Sequence, residues 1–506
     1  MPTVKNFFQL RRTFVIVLFI GLFAMAARNV LDPDVWWHLK TGEWIVQHRA
    51  VPHTDPFSYT RAGQPWTVHE WLCQVAIYGL FRWTGYTGLI IAFAAIISAA
   101  FFPLYLRCRA GPVASAAMTA WGALATAVVW GVRPQILSLL LLSVWLLILE
   151  RSEKNPRLLW LTLPLTVLWV NLHGGVILGP AFLGLFIAGE FLETFFPPNP
   201  HVTIRLRWLS LALVADLVLI TMNPNGASIL WYPTQTMRVQ SHISEWASPN
   251  FHSADYAAFF LLLLATFAAL IVSRRRVRPR DIILLLATLT AALSSVRMIP
   301  LFVLIAVPIV ARPLGDWLAA SNSAALRPRS QFAFLNVGIV VAMIVFAAIH
   351  TSQVIRRQPQ AEATHFPAAA AAYLQQYPPA GNIFNHYDWG GYLIFKLYPQ
   401  TRVFTDGRTE VYGESMMQEF VRAYYLQDSW QQPLLKWEVT TVIVPPDSAL
   451  ASALRESRDW SLSYQDSVGA IFSKSFNYSA LQSNLYTNAA SLPPKQIPDM
   501  HLTRAY

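Results

Sequence analysis

The stretch with the most evident chemical capacity is Asp32 to His38, which directly follows the first apolar segment and combines two carboxylates, two tryptophans and a histidine. A positioned carboxylate can take the proton from an attacking hydroxyl group, and hard carboxylate oxygens are ligands for Mg²⁺ or Mn²⁺. Asp32 and Asp34 could therefore converge on one reacting group or on a cation, and they are the candidate catalytic residues. The sequence specifies no cofactor, and it leaves open Mg²⁺ or Mn²⁺ held by the same two carboxylates.

A structural role explains the same stretch. Asp32 or Asp34 would cap a short helix that begins near Val35 and lies on the membrane surface. Trp36 and Trp37 would then anchor that helix at the membrane interface. Capping and catalysis are compatible, so the sequence does not choose between them.

Polar residues near the predicted ends of other apolar segments are candidates for substrate binding. Arg133 and Arg297 each stand close to a proline at a predicted helix boundary, and arginine is suited to bidentate contact with phosphate. The structural alternative for the two arginines is that their side chains extend to lipid headgroups. For His173 and Asp406, the structural alternative is a tight turn. The candidate substrate-binding residues are Trp36, Trp37, His38, His69, Glu70, Arg133, His173, Glu245, Arg297, Asp388, Asp406 and Arg408.

The composition indicates an α-helical polytopic membrane protein. Hydrophobic residues make up 55% of the 506 positions and charged residues only 13%, about half the charged fraction of a typical soluble domain. The net charge of +11 comes from short basic clusters that are not interleaved with aromatic residues, which argues against nucleic-acid binding. Two cysteines, Cys73 and Cys108, fall on opposite membrane faces in the predicted topology, so no disulfide is expected.

Windows of about 20 apolar residues predict about eleven transmembrane helices. The stretch 70–83 is shorter, and its placement decides the orientation of every later segment. If it lies at the interface, most arginines and lysines fall on one face, which the positive-inside rule assigns to the cytoplasm. The predicted spans are 12–29, 87–106, 112–131, 134–150, 157–173, 175–195, 207–222, 256–273, 281–297, 299–314 and 332–350.

The opposite face then receives the unusual stretches, including a first outer loop at 30–86 and a loop at 223–255. We predict a transmembrane domain at 1–350, with a cytoplasmic and retained N-terminus, in a bacterial cytoplasmic (inner) membrane. An extracytoplasmic α/β domain follows at 351–476, with strands near 381–385, 402–406 and 441–445 and helices near 366–377 and 412–427. Residues 477–506 are expected to be loosely ordered.

An acidic motif that opens the first outer loop, followed by a surface helix, further spans and an outer domain, resembles the GT-C superfamily of membrane glycosyltransferases. The resemblance implies a sugar donor linked to a polyprenyl phosphate, and it implies catalysis by an acidic residue of the first loop, here Asp32 or Asp34. The expected partners are that donor, a glycan, lipid or protein acceptor, and membrane lipids. Arg133, Arg297 or a metal ion would stabilise the leaving phosphate.

Two other classes of function remain open at this stage. A lipid or glycolipid transporter would also contain intramembrane arginines and helix breaks, but it predicts inverted repeats and charged sites near the membrane midplane. A non-catalytic assembly or binding subunit of an envelope or polysaccharide system would use the outer domain to recognise a partner.

Overall fold

The computed structural model describes residues 10–195, 202–232, 244–273, 277–320 and 333–475. In its N-terminal part, ten α-helices with the bounds below precede residue 295. They are α1 (Leu10–Ala26), α2 (Val35–His48), α3 (Trp71–Cys108), α4 (Pro112–Thr126), α5 (Gln135–Arg151), α6 (Thr162–Leu172), α7 (Leu178–Glu193), α8 (Val202–Leu219), α9 (Ala257–Val272) and α10 (Pro279–Ser294).

Two long helices complete the membrane part, α11 (Ile299–Ala320) and α12 (Ala333–His365). Short 3-10 turns connect the helices at the end where the first outer loop and the 223–255 loop lie. They include Gly174–Ile177 between α6 and α7, Gly226–Trp231 after α8, and Val296–Met298 between α10 and α11.

Each of the eleven predicted apolar segments falls on a helix. Among the described residues, six helical segments are long and apolar enough to cross a membrane: Trp71–Cys108, Pro112–Val129, Gly174–Glu193, Ala254–Val272, Val296–Ala320 and Phe334–His365. The segments Arg12–Ala26 and Pro156–Leu172 are apolar but shorter. A helical membrane protein is therefore confirmed, and the count of eleven spans stays a prediction.

Helix α3 contains a break that separates the stretch 70–83 from the apolar run after it. Its 38 residues would extend about 57 Å as one straight helix, well beyond the roughly 30 Å hydrocarbon core of a bilayer. Gly85 interrupts it with a φ of 59° and a ψ of −150°, values that glycine adopts readily. The residues after Gly85 are enough for one crossing, and those before it form a separate helical stretch.

The C-terminal part is a small mixed α/β domain. Its helices are α13 (Ala368–Gln376), α14 (Gly390–Leu397), α15 (Thr409–Tyr424), α16 (Gln431–Lys436) and α17 (Ala449–Glu456). Its strands are β1 (Asn382–Asn385), β2 (Val439–Val444), β3 (Trp460–Gln465) and β4 (Ala470–Lys474), in the order β1-β2-β4-β3. Strands β1 and β2 are parallel, and the other two pairings are antiparallel.

The strand predicted at 402–406 is wrong, and β3 and β4 were not anticipated. Val403 pairs instead with the first outer loop, where its N–H donates to the Phe57 carbonyl and its carbonyl accepts from Tyr59 at 3.2 Å each. This apolar run therefore connects the C-terminal part of the chain to the first outer loop through backbone hydrogen bonds. The loosely ordered end predicted at 477–506 lies outside the described residues.

A buried ion cluster fastens the C-terminal domain to the first outer loop. Arg408 donates to Asp406 through Nε and Nη2 at 2.8 and 2.6 Å, and to Asp55 of the loop through Nη1 at 2.8 Å. The guanidinium also lies 5.2 Å from the Phe57 ring and 4.5 Å from the Trp66 ring. Because Arg408, Asp406 and Asp55 are almost completely buried, this cluster holds the domain and the loop in one fixed arrangement.

Candidate functional site

A cavity of about 560 Å³ opens where the first outer loop, the ends of several helices and the C-terminal domain meet. Its size is typical of a site for a small or medium-sized ligand. Eleven of the residues singled out in the sequence line it, although they come from seven separate stretches of the chain. They are Asp32, Asp34, Trp37, His38, His69, Glu70, Arg133, His173, Glu245, Arg297 and Asp388.

Asp32 has both carboxylate oxygens engaged by the protein. Oδ1 accepts the backbone N–H of Asp34 at 2.9 Å, and Oδ2 pairs with Nε of Arg133. Arg133 in turn contacts both oxygens of Glu245 through Nη1, at 2.5 and 2.6 Å. Asp32 therefore orients Arg133 and the turn that leads into helix α2.

Asp34 stands at the N-cap position of helix α2, but its carboxylate makes no capping hydrogen bond. Instead, Oδ1 accepts the indole N–H of Trp37 at 3.0 Å. Burial raises the pKa of Asp34 to about 7 against the effect of that hydrogen bond, and nearby Glu245 raises it further. Among the described residues, no hydrogen-bond donor contacts its second oxygen, so Asp34 is suited to accept a proton near neutral pH.

Glu70 lies at the start of helix α3 and is surrounded by three histidines. Oε1 is 3.0 Å from Nε2 of His69 and 3.3 Å from Nε2 of His173, and Oε2 is 3.4 Å from Nδ1 of His38. Burial alone would raise the pKa of Glu70, but the three histidines hold it below its usual range. Burial lowers the pKa of His38 to about 4 despite Glu70.

The hydrogen bonds define the proton positions in this cluster. Nδ1 of His173 accepts the Gly175 N–H at 2.9 Å and lies 2.7 Å from the Ser138 hydroxyl, which itself accepts the Trp169 indole N–H. The proton of a neutral His173 is therefore on Nε2, where it is donated to Glu70.

The surroundings of His69 favour its charged form. Its Nδ1 lies 3.3 Å from the Thr67 carbonyl and its Nε2 faces Glu70, so both nitrogens have acceptors. Burial disfavours the charged form, but the charge and hydrogen bond of Glu70 outweigh burial and raise the pKa of His69. The ring also packs 3.9 Å from that of Tyr232. Glu70 and His69 thus form an ion pair in the cavity wall.

A second group of donors lies near Arg133. Nη2 of Arg297 donates to Oε1 of Gln135 at 2.8 Å, and its guanidinium lies 5.5 Å from the Trp246 ring. Nε2 of Gln135 and Nε1 of Trp246 are buried without a hydrogen-bond partner among the described residues. Because buried donors in proteins are normally paired, this side of the cavity is suited to a ligand rich in oxygen.

The C-terminal domain closes the cavity over the Asp32-Pro33-Asp34 turn, a role that the sequence did not reveal. A Cβ atom on Gly391 would come within 2.6 Å of the Pro33 carbonyl, and one on Gly407 would collide with the Asp34 carboxylate. Thr409 and Glu410 also line the cavity. The glycines of Trp-Gly-Gly-Tyr and Asp-Gly-Arg were the available signal, because glycine permits close backbone approach.

Three predicted binding residues do not line the cavity. Asp406 and Arg408 belong to the buried cluster with Asp55 described above. Trp36 is fully buried against Tyr392 and other aromatic rings, with a centroid distance of 4.9 Å to Tyr392. Trp37 is 6% exposed, so neither tryptophan anchors the helix in a membrane interface.

The arrangement of Asp32 and Asp34 does not fit a divalent metal ion. One oxygen of Asp32 and one oxygen of Asp34 already accept hydrogen bonds from protein groups, and the other oxygen of Asp32 is paired with Arg133. In the described parts of the chain, no three His, Cys, Asp or Glu side chains form a group that could hold a metal. Metal binding by these two carboxylates would need a rearrangement of Arg133.

Comparison with known proteins identifies the fold. No protein-family model matches the chain, and no curated protein sequence matches it either. A solved structure that does match is that of the archaeal oligosaccharyltransferase AglB from Archaeoglobus fulgidus, in complex with an inhibitory peptide and a dolichol-phosphate. The TM-score is 0.57 at 11% identity, covering 85% of this chain and 69% of AglB. The chain therefore shares its overall fold with this oligosaccharyltransferase.

Proposed function

We propose that this protein transfers a sugar from a polyprenyl-phosphate-linked donor to a hydroxyl group of an acceptor, with Asp34 as the general base. The observation that carries the proposal is the position of Asp34, a carboxylate with a pKa of about 7 in the wall of a cavity that also contains Arg133 and Arg297. The GT-C fold supports the same class of reaction.

The cavity offers different environments to the two ends of such a donor. Arg297, Arg133 and the unpaired donors of Gln135 and Trp246 suit the phosphate. An adjoining apolar wall suits the first isoprenoid units of the lipid, and it comprises Val129, Ile136, Leu139, Leu142, Ile177, Leu178 and Leu301. A lipid-linked phosphate would therefore be held at the boundary between these two surfaces.

The reaction needs one base and a cationic surface for the leaving group. Asp34 removes the proton of the acceptor hydroxyl as its oxygen attacks the anomeric carbon. The bond between that carbon and the phosphate oxygen breaks, and its electron pair leaves with the phosphate. Since the phosphate is a weak base, it requires charge stabilisation from arginine and no proton. Hydrolysis of a glycoside differs because a second carboxyl group must protonate the leaving oxygen.

Asp32 acts as a positioning residue in this scheme. Its contacts to the Asp34 N–H and to Arg133 connect the turn that carries the base with the cation. The sequence left the roles of Asp32 and Asp34 interchangeable, and the different partners of their oxygens support Asp34 as the residue that takes the proton.

We place the cavity on the extracytoplasmic face of a bacterial inner membrane, with the N-terminus in the cytoplasm. The basic clusters lie at the opposite ends of the helices, where several arginines are paired. Arg107 donates to Glu150 at 2.9 Å, and Arg205 lies 2.5 Å from Glu190. The positive-inside rule counts Lys and Arg whether or not acidic residues accompany them, so this end suits the cytoplasm.

The test is sugar transfer by the purified full-length protein in bilayers, from a mixed pool of radiolabelled polyprenyl-phosphate sugars to a membrane extract that contains acceptors. We expect wild type to transfer, Asp34→Asn to lose all measurable transfer, and Asp32→Asn to retain a reduced rate. Thermal unfolding of each variant controls for folding. Transfer by folded Asp34→Asn at the wild-type rate would disprove the role of Asp34, and no transfer by wild type would disprove the activity.

A further inference from the structure

The guanidinium of Arg133 lies between two carboxylates that come from distant parts of the chain. Asp32 belongs to the first outer loop, and Glu245 belongs to the 3-10 turn Ser244–Trp246 after helix α8. Nε of Arg133 pairs with Asp32, and Nη1 contacts both oxygens of Glu245. Proteins also place two carboxylates around a single cation when they bind a divalent metal ion.

The oxygens around Arg133 leave little capacity for a metal. Mg²⁺ requires near-octahedral oxygen ligands at about 2.0–2.1 Å, with lone pairs directed at the ion. Here Oδ1 of Asp32 accepts a backbone N–H, and the other oxygens of the pair face the guanidinium. Arginine stays protonated at any physiological pH, so its charge cannot be removed by titration.

The third nitrogen of Arg133 remains available for a ligand. Nη2 makes no hydrogen bond or ion pair with a described residue, while the side chain is 18% exposed and lines the cavity. A guanidinium fixed by two carboxylates keeps its planar fork in one orientation, which reduces the entropy lost when it binds an oxyanion. Arg133 therefore supplies one pre-oriented donor in the wall of the cavity that Arg297 and Gln135 also line.

We infer that Arg133 is a built-in cation that occupies the position between Asp32 and Glu245, so that the protein holds no divalent metal there and presents Nη2 to a phosphate-bearing ligand. The metal part of this inference is independent of the proposed function. The contact between Nη2 and a donor phosphate rests on the proposed function.

Electron paramagnetic resonance of Mn²⁺ tests the metal part without any substrate. The full-length protein in lipid nanodiscs is titrated with Mn²⁺ as wild type, Arg133→Ala and the double variant Arg133→Ala/Asp32→Asn. Removal of the guanidinium frees two carboxylates, so we expect Arg133→Ala to gain about one bound Mn²⁺ per chain, and the double variant to lose it. Wild type should show no Mn²⁺ that depends on Asp32.

Two results would overturn the inference. One is a Mn²⁺ bound to wild type and lost in Asp32→Asn, which would show that the metal and Arg133 coexist. The other is a folded Arg133→Ala variant without the gained ion, which would show that the two carboxylates do not form a cation position. Thermal unfolding with and without Mn²⁺ establishes folding, and Mn²⁺ should stabilise only Arg133→Ala.

The transfer assay separates this inference from the proposed function. Wild-type transfer should be unchanged by a chelator, and Arg133→Lys should keep more activity than Arg133→Ala because it retains the charge. Loss of wild-type transfer with the chelator would refute the built-in cation while leaving the glycosyltransferase intact. Absence of transfer in every sample would refute the proposed function while leaving the Mn²⁺ result valid.

Discussion

Removal of the hydrogen bond from Trp37 to Asp34 should shift the pH dependence of sugar transfer. The indole N–H donates to Oδ1 of Asp34 at 3.0 Å and favours the ionised carboxylate, which lowers its pKa against the effect of burial. Phenylalanine keeps an aromatic ring at position 37 but has no donor. Trp37→Phe should therefore raise the pKa of Asp34 above its value of about 7.

The expected size of the shift follows from the strength of such bonds. A hydrogen bond to a charged group contributes about 1.5–3 kcal/mol. Since about 1.4 kcal/mol corresponds to one pKa unit, the pKa should rise by about one to two units. The ionised fraction at pH 7 would fall from about one half to between about a tenth and a hundredth, which lowers the transfer rate by about 5- to 50-fold. Activity should recover in alkaline buffer.

The assay measures initial transfer rates of wild type and Trp37→Phe between pH 5.5 and 9.5. Because the base must be ionised, the wild-type rate should rise with pH through about 7, and that of Trp37→Phe should rise through a higher value. An unchanged or lower midpoint in Trp37→Phe would refute Asp34 as the group that limits the rate at low pH.

Trp36→Phe is the matched control. Trp36 is the adjacent residue in the same helix and is fully buried, but its indole N–H has no partner among the described residues. The substitution removes a similar volume and should reduce stability by about 0.5–3 kcal/mol. It should leave the midpoint of the pH profile unchanged, so a shift in both variants would point to a general packing effect.

Three further predictions concern the contacts around the cavity. Gly407→Ala should abolish transfer because its methyl group would displace the neighbouring first-loop carboxylate, whereas Gly184→Ala, in open space on helix α7, should be silent in the same assay. Arg408→Met should lower the free energy of unfolding by about 3–5 kcal/mol in a denaturant titration, because it leaves two buried carboxylates without their cation. Lys436→Met is the control: its lysine is 58% exposed, so the free energy of unfolding should fall by less than about 1 kcal/mol. Glu70→Gln should reduce the melting temperature most between about pH 4.5 and 6.5. The lowered pKa of Glu70 stabilises the fold at pH values above the pKa of Glu70 in the unfolded chain, and the raised pKa of its histidine partner stabilises the fold at pH values below the pKa of that histidine in the unfolded chain. An equal loss at pH 9 would contradict the ion pair.

The sequence singled out many of the charged residues that line the cavity because their types are unusual for a membrane protein. Carboxylates, histidines and arginines are costly near a bilayer, so Asp34, Glu70, Arg133 and His173 stood out against apolar segments. The same cost explains why they converge on one cavity, where polar groups can pair with one another or remain near water.

The sequence could not separate a residue that lines the cavity from one that supports it. Arg408 and Arg133 are both arginines in polar motifs, yet one is fully buried between two carboxylates and the other is partly exposed to the cavity. Arg408 is buried against Asp55, which lies 353 residues away in the sequence. Arg133 is paired with Glu245, which lies 112 residues away. Local patterns contain no information about such distant pairs.

The C-terminal domain is part of the site because it determines the environment of Asp34. Gly407 and Gly391 let its backbone pack directly on the Asp32-Pro33-Asp34 turn, and this packing removes water from the carboxylate. Burial is the main cause of the raised pKa of Asp34, so we expect that pKa to fall toward its ordinary value when the domain separates from the turn. The Arg408 cluster fixes that contact. Disruption of the cluster should therefore lower the pH midpoint of transfer, opposite in sign to Trp37→Phe, even where the membrane helices remain folded.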